Sequence, residues 1–287
     1  MPILQLLRPH QYIKNVFVFA PLFFAGQIGQ QALLFQALLV FVAFSLVASS
    51  IYILNDYHDV SEDLKHPVKK HRPLAAGTVS KSVAVALMLL TAAAGLMLGL
   101  NISTSVLVVL AAYLVLNILY CLWLKHLALV DITIIAVGFV LRLFAGALAT
   151  GVALSAWLVI MTFLLALFLA LAKRRDDILI YQRTGEKMRK VIDGYNLQLL
   201  DSAISIMASV IIVSYIVYTT SVGEQAVGDS RWLYLTTVFV VLGMLRYLQL
   251  TLVMQNAGSP TRVVLRDRFT QCVIVSWIVS FSLALYL

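Results

Sequence analysis

Nine long apolar runs dominate this chain: residues 14–28, 31–54, 82–100, 104–124, 128–149, 153–173, 200–221, 231–250 and 269–287. A helix needs about 20 apolar residues to cross a bilayer. Inside hydrocarbon every backbone N–H and C=O must be paired within the protein, which leaves only helices and closed barrels. These runs are too long and too evenly apolar for the alternating strands of a barrel. The sequence therefore predicts an all-α, polytopic membrane protein with nine transmembrane helices, built as a single domain over 1–287. Composition agrees: 62% of residues are hydrophobic and 12% charged, about half the charged share of a typical soluble domain. The N-terminal "MPILQLLRPHQYIKN" has no small-residue cleavage pattern and does not read as a removable signal. Cys121 and Cys272 lack metal-ligand spacing and read as small apolar fillers.

Charge then orients the spans. Of the 21 Lys and Arg residues, all except Arg142 and Arg231 fall on one side. That side holds the N-terminus and the connections after the second, fourth, sixth and eighth runs. Positive charge gathers on cytoplasmic loops, so the N-terminus is expected in the cytoplasm and the C-terminus outside. One run more or fewer would scatter the bases over both faces. The two large cytoplasmic connections cover about 55–81 and 174–199. Because the bases sit between spans, the net charge of +8 speaks for membrane orientation and anionic substrates, and against nucleic acid.

The first of those loops carries unusual chemistry. "YILNDYHDVSEDLKHPVKKHRPLAAG", residues 52–77, holds four acids and four Lys or Arg. Asn55, Asp59 and Asp63 are spaced i, i+4, i+8, which places them on one face of a continuing helix. Asp56 lies one step round, three residues before Asp59. Oxygen-only ligands suit magnesium, which bridges one or two carboxylates to substrate phosphates, so Asn55, Asp56, Asp59 and Asp63 are the candidate metal set. Two prolines and a glycine then end the helix near Lys65. Lys69, Lys70 and Arg72 in the following loop could meet diphosphate oxygens. The bland alternative is a topogenic loop whose acids balance its bases. Arg142 is separate: a charge inside a span is costly and normally faces a cavity or a partner, with Asp131 as the structural alternative.

These residues resemble a known family. "NDYHDVSED" fits the NDxxDxxxD motif of the UbiA superfamily of intramembrane prenyltransferases, and "RPLAAG" fits the family's usual continuation of that motif. The passages "LLRPHQYIKNVFVFAPLFFAG", "HPVKKHRPLAAG", "YCLWLKHLALVDITIIAVGFVLRLFAGALA", "RTGEKMRKVIDGY" and "VVLRDRFTQ" look most like the decaprenyl-phosphate phosphoribosyltransferase branch. The resemblance implies a UbiA-like bundle around a central cavity, capped by the two cytoplasmic loops, with Asp56, Asp59 and Asp63 holding magnesium on a diphosphate. It departs from aromatic prenyltransferases where they carry a second acidic motif: "LAKRRDDI" puts three cations there.

The branch implies a magnesium-dependent transferase that moves 5-phosphoribose from phosphoribosyl pyrophosphate (PRPP) to a polyprenyl phosphate, releasing pyrophosphate. The alternative is prenyl transfer from a prenyl diphosphate to an aromatic acceptor. A transporter would need polar residues through the full depth of several spans, whereas the ionisable groups gather on one face. For phosphorylated substrates the expected contacts are Lys14, Asn55, Arg72, Tyr120, Lys125, Lys173 and Arg174, with Arg142 as a functional candidate. Asp131 and Asp177 are candidates for metal, ribose-hydroxyl or cation-orienting roles. Arg189, Tyr195 and Arg266 rest on the resemblance.

Overall fold

Helices form along the apolar runs, and the first run is the exception. The structure, a computed structural model, describes residues 2–64, 69–185, 190–225, 229–254, 263 and 266–286. The chain opens with α1 (Pro2–Leu7), a 3-10 helix (Pro9–Phe19) and α2 (Ala20–Phe24), followed by α3 (Gln31–His58) and α4 (Val60–Asp63). Then come α5 (Lys81–Ile102), α6 (Thr104–Leu122), α7 (Val130–Thr150), α8 (Ala156–Thr184), α9 (Leu197–Gln225), α10 (Thr237–Leu248) and α11 (Arg268–Tyr286). Among the described residues, eight helices are long and apolar enough to cross a membrane. The run at 14–28 does not join them as one continuous helix. Pro9 starts the 3-10 segment, and Pro21 has no N–H with which to carry an α-ladder back to Phe17, so the helix restarts at Ala20.

The helices divide into two compact units. The first is Met1–Lys125 with Val137–Ser155; the second is His126–Ala136 with Ala156–Leu287. In the first unit, α3 packs against α5, and Gly95 allows the approach: a Cβ there would stand 2.7 Å from a Val47 methyl. Val40, Phe44, Val47, Leu110, Tyr113 and Ala145 form its core. A polar ladder ties the 3-10 segment to α3. The Tyr12 and Ser49 hydroxyls bond at 2.8 Å, and Asn15 Nδ2 donates to Ser45 Oγ at 2.9 Å.

Gly146 of α7 is packed against that segment so closely that a Cβ would lie 2.0 Å from the Val18 carbonyl oxygen. Gly146→Ala is therefore expected to cost about 1–3 kcal/mol through overpacking, lowering the thermal midpoint in detergent. Gly29→Ala, with nothing within 4 Å, is the control that should leave it unchanged.

The core of the second unit joins Phe168, Leu171, Leu200, Ile204, Met244 and Tyr247. Arg175 clamps its helices, donating to Asp201 Oδ1 at 2.5 Å and to the Thr251 carbonyl at 2.7 Å. Thr251 lies in a π-helical turn, Gln249–Val253; such turns widen the backbone locally.

Candidate active site

The acidic segment is assembled by a break in the helix. α3 carries Asn55 and Asp56 to its end at His58, Asp59 caps it, and the short α4 delivers Asp63. The predicted single face of Asn55, Asp59 and Asp63 is thus interrupted at Asp59, and the carboxylates regroup. Asp56 and Asp63 converge on one Arg72 nitrogen, at 3.0 and 2.7 Å. Asp56 also accepts from Arg8. Both carboxylates are nearly sealed from solvent, Asp56 at 2% and Asp63 at 3% exposure.

Asp59 turns elsewhere, accepting from Lys125 Nζ at 2.7 Å and lying 3.2 Å from His58 Nδ1. Burial pushes the Asp59 carboxyl up, but the bonds from Lys125 and His58 outweigh it and hold the group below its ordinary value. Asp59 is therefore ionised at neutral pH. Asn55 Oδ1 faces the Cys121 thiol at 3.8 Å.

Local sequence explains how Arg72 reaches the acids. A 3-10 turn, Lys69–His71, leads into "RPLAAG", where the Arg72 carbonyl accepts from the Ala76 N–H at 2.8 Å. Gly77 closes the turn at φ 69°, a left-handed conformation open to glycine at little cost. Lys125 sits in the 3-10 turn after α6 and is buried. Tyr120 is half-buried on the last turn of α6.

The site's donor chemistry admits a divalent cation. Magnesium accepts oxygen ligands, keeps several waters and needs only one or two carboxylates when substrate phosphates supply the rest. The convergent Asp56 and Asp63 fit that requirement. The larger expected set is not gathered, because Asp59 and Asn55 turn to other partners. Among the described residues, no three His, Cys, Asp or Glu side chains form a group able to hold a metal ion.

Arg142 does not pair with Asp131. Its Nε donates to Asn15 Oδ1 at 2.8 Å, Nη1 to the Gly138 carbonyl at 2.6 Å and Nη2 to the Tyr113 hydroxyl at 3.2 Å. The rings of Phe44, Tyr113 and Phe139 surround the guanidinium at 4.8, 5.0 and 5.2 Å. Lys14, next to Asn15, is partly buried.

Asp131 instead anchors the second unit. Its Oδ2 accepts from Arg174 Nε at 2.6 Å, and its Oδ1 from the Tyr195 hydroxyl at 2.7 Å. Arg174 Nη1 also reaches Asp177 Oδ2 at 2.7 Å. Asp131 is 0% exposed and Arg174 1%. Tyr195 accepts the Leu129 N–H at 2.7 Å, where Leu129 takes φ 67°, a strained value for a branched side chain. Burial, then the bond to Asp131, raises the Tyr195 phenol above its usual range, so it remains a donor at any physiological pH. Arg174, expected as a phosphate contact, is committed to two carboxylates. Lys173, one residue earlier, is half-buried, and Arg266 is exposed. Arg189 lies outside the described residues.

Arg8, Asn15 and Tyr113, which the sequence reading did not single out, are contacts of the candidate residues Asp56 and Arg142. Only Arg8 left a usable signal there, as a lone base beside Pro9 just before the first apolar run.

The described residues thus form membrane-spanning helices that present buried carboxylates paired with Arg and Lys at a span end. The chain belongs to the UbiA prenyltransferase family, which matches residues 15–273, and it is an integral membrane transferase. It is similar to the decaprenyl-phosphate phosphoribosyltransferase of Corynebacterium glutamicum, 32% identical over 98% of this chain and 86% of that one. It is likewise similar to the enzyme of that name from Mycolicibacterium smegmatis, 32% identical over 99% of this chain and 92% of the other. In fold it matches the structure of a UbiA homologue from Archaeoglobus fulgidus bound to DMAPP and Mg2+, with TM-score 0.74 and 16% identity over 100% of this chain and 99% of that one.

Proposed function

We propose that this protein transfers 5-phosphoribose from PRPP to a polyprenyl phosphate in the bilayer, releasing pyrophosphate. Near-full-length similarity to two decaprenyl-phosphate phosphoribosyltransferases supports the reading. The observation that carries it lies at the place where aromatic prenyltransferases bear a second acidic motif: in "LAKRRDDI" Asp177 is bound by Arg174, which also holds Asp131 of α7. Asp56 and Asp63, which meet at Arg72 at the end of α3, are the carboxylate pair we assign to a metal-bound diphosphate, the single leaving group the reaction needs.

In this reading Asp56 and Asp63 hold magnesium, and Arg72 and Arg8 add positive charge where the diphosphate departs. Magnesium, when bound, supplies neutralisation of charge on the leaving group. Lys125 and Asp59 form a fixed pair beside it. An oxygen of the lipid phosphate forms the new bond at the anomeric carbon as the bond to pyrophosphate breaks, through an oxocarbenium-like state. That oxygen is already ionised near neutral pH, so no side chain has to remove a proton. His58, whose ring contacts Asp59, fits a supporting role. The charge bias of the loops favours a cytoplasmic active site, where PRPP is dissolved.

The competing reading, prenyl transfer to an aromatic acid, is tested on the same preparation. With magnesium and a prenyl diphosphate plus 4-hydroxybenzoate, no prenylated product is expected. Turnover of that pair without turnover of PRPP would replace the proposal.

A further inference from the structure

α10 and the π-helical turn that follows it carry Leu242, Leu245, Arg246 and Gln249. Their spacing, i, i+3, i+4 and i+7, sets them on one face. With Phe269 of α11 they line a groove of about 360 Å³ in the second unit. None of the five is assigned to the reaction. Leu242, Leu245 and Phe269 are exposed. Both helices belong to candidate membrane spans, so the apolar wall they expose meets lipid.

Arg246 stands at one end of the groove, in the last turn of α10. A charge within a span is costly unless it is answered, and this one is held in place. Its Nε and Nη2 donate to the two Asp267 oxygens at 3.1 and 2.7 Å, and its Nη1 donates to Gln249 Oε1 at 2.7 Å. The guanidinium lies 5.5 Å from the centroid of the Phe269 ring. Asp267 is itself fixed as the cap of α11, where its Oδ2 accepts from the Thr270 N–H at 2.9 Å and the Thr270 hydroxyl at 2.7 Å. These contacts use three of the five guanidinium N–H groups. Nor is the charge at this end balanced by the pair: Asp267 offsets Arg246, and Arg268, exposed on the first turn of α11, adds a further positive charge. Arg266, a substrate candidate, is not needed for the argument.

A lipid-facing apolar groove that ends at two arginines matches an amphiphile with an anionic head. Basic pockets between transmembrane helices take phospholipid head groups in this way, and a guanidinium suits phosphate oxygens in both charge and shape. We propose that the groove between α10 and α11 binds an anionic phospholipid of the surrounding bilayer. Its phosphate meets Arg246 and Arg268, and its acyl chains lie along Leu242, Leu245 and Phe269. The open walls suit a resident lipid, whereas a reacting substrate needs a closed site that excludes water. The inference does not depend on the phosphoribosyl-transfer reading.

The test is lipid binding to the delipidated protein in neutral detergent, read by native mass spectrometry. The probes are phosphatidylglycerol and phosphatidylcholine with identical acyl chains. The wild type is expected to bind phosphatidylglycerol several-fold more tightly. Arg268→Gln should weaken that binding about fivefold, the effect of one basic residue near an anionic head group, and leave phosphatidylcholine unchanged. Leu245→Trp, which fills the groove with an apolar ring, should weaken it as well. Lys81→Gln, which removes an exposed base at the start of α5, should have no effect and so separates a site from net charge. Equal binding of the two lipids by the wild type, equal losses in Arg268→Gln and Lys81→Gln, or wild-type binding by Leu245→Trp overturns the proposal. Displacement of phosphatidylglycerol by an equimolar polyprenyl phosphate would give the groove to the lipid acceptor instead. A dimer that Leu245→Trp disrupts, with no lipid retained by the wild type, would give it to a second copy of the chain. Either result also overturns the proposal.

Discussion

Asp56→Asn is expected to lower transferase turnover by about 10²- to 10³-fold, the usual consequence of removing one preorganised electrostatic partner from a closed site. Asparagine keeps the shape of the side chain and removes its charge. Asp56 is the point where Arg8 and Arg72 meet and, in the proposed mechanism, one of two carboxylates that hold magnesium. The substitution thus removes a metal ligand and unbalances two guanidiniums at once. Turnover measured with saturating magnesium, beside a thermal melt in detergent, separates loss of chemistry from loss of fold. A rate within a few-fold of wild type would remove Asp56 from the active site.

Asp131→Asn is expected to lower stability by about 2–3 kcal/mol, because Arg174 keeps Asp177 but loses the fully buried one of its two carboxylate partners. Arg174 is 1% exposed and Asp131 is 0% exposed, so water cannot replace the lost contact, and the Tyr195 hydroxyl loses a charged acceptor as well. Replacing both partners by apolar residues, Asp131→Leu with Arg174→Met, should recover much of the loss, since such replacements are often neutral or stabilising. Chemical unfolding followed by near-UV circular dichroism reads both. A single variant as stable as wild type would show that the pair does not hold the second unit together.

Much of this architecture is written in the apolar runs, because a bilayer leaves a run of that length almost no choice but helix. The exceptions have local causes. Pro21 sits inside the first run, and a proline there stops the ladder whatever the hydropathy. The acidic segment shows the limit of periodicity: spacing put Asn55, Asp59 and Asp63 on one face, but that holds only while the helix continues. Once it pauses at Asp59, Asp56 and Asp63 become the neighbours, drawn together by Arg72 from a loop whose return no spacing rule foretells.

The Arg142 and Asp131 alternative could have been weighed by length alone. Eleven residues of one helix separate them by about 16 Å, beyond the reach of a direct bond. What sequence could not supply is the partner of each buried charge. Arg174 reads as one more base in "AKRRDD", yet three-dimensional neighbours commit it to Asp131 and Asp177. Asn15 and Tyr113, polar residues in apolar runs, gain meaning only when Arg142 is seen between them.

The central claim is that the bond broken lies between the anomeric carbon of PRPP and pyrophosphate, and that the ribose ends on a lipid phosphate. Two PRPP samples, one labelled in the ribose and one in the β-phosphate, test it directly with purified protein, magnesium and polyprenyl phosphate. The account predicts that the ribose label enters the lipid fraction while the β-phosphate label leaves in equal amount as pyrophosphate. Ribose label confined to the aqueous phase, under conditions where the protein is folded, would contradict it.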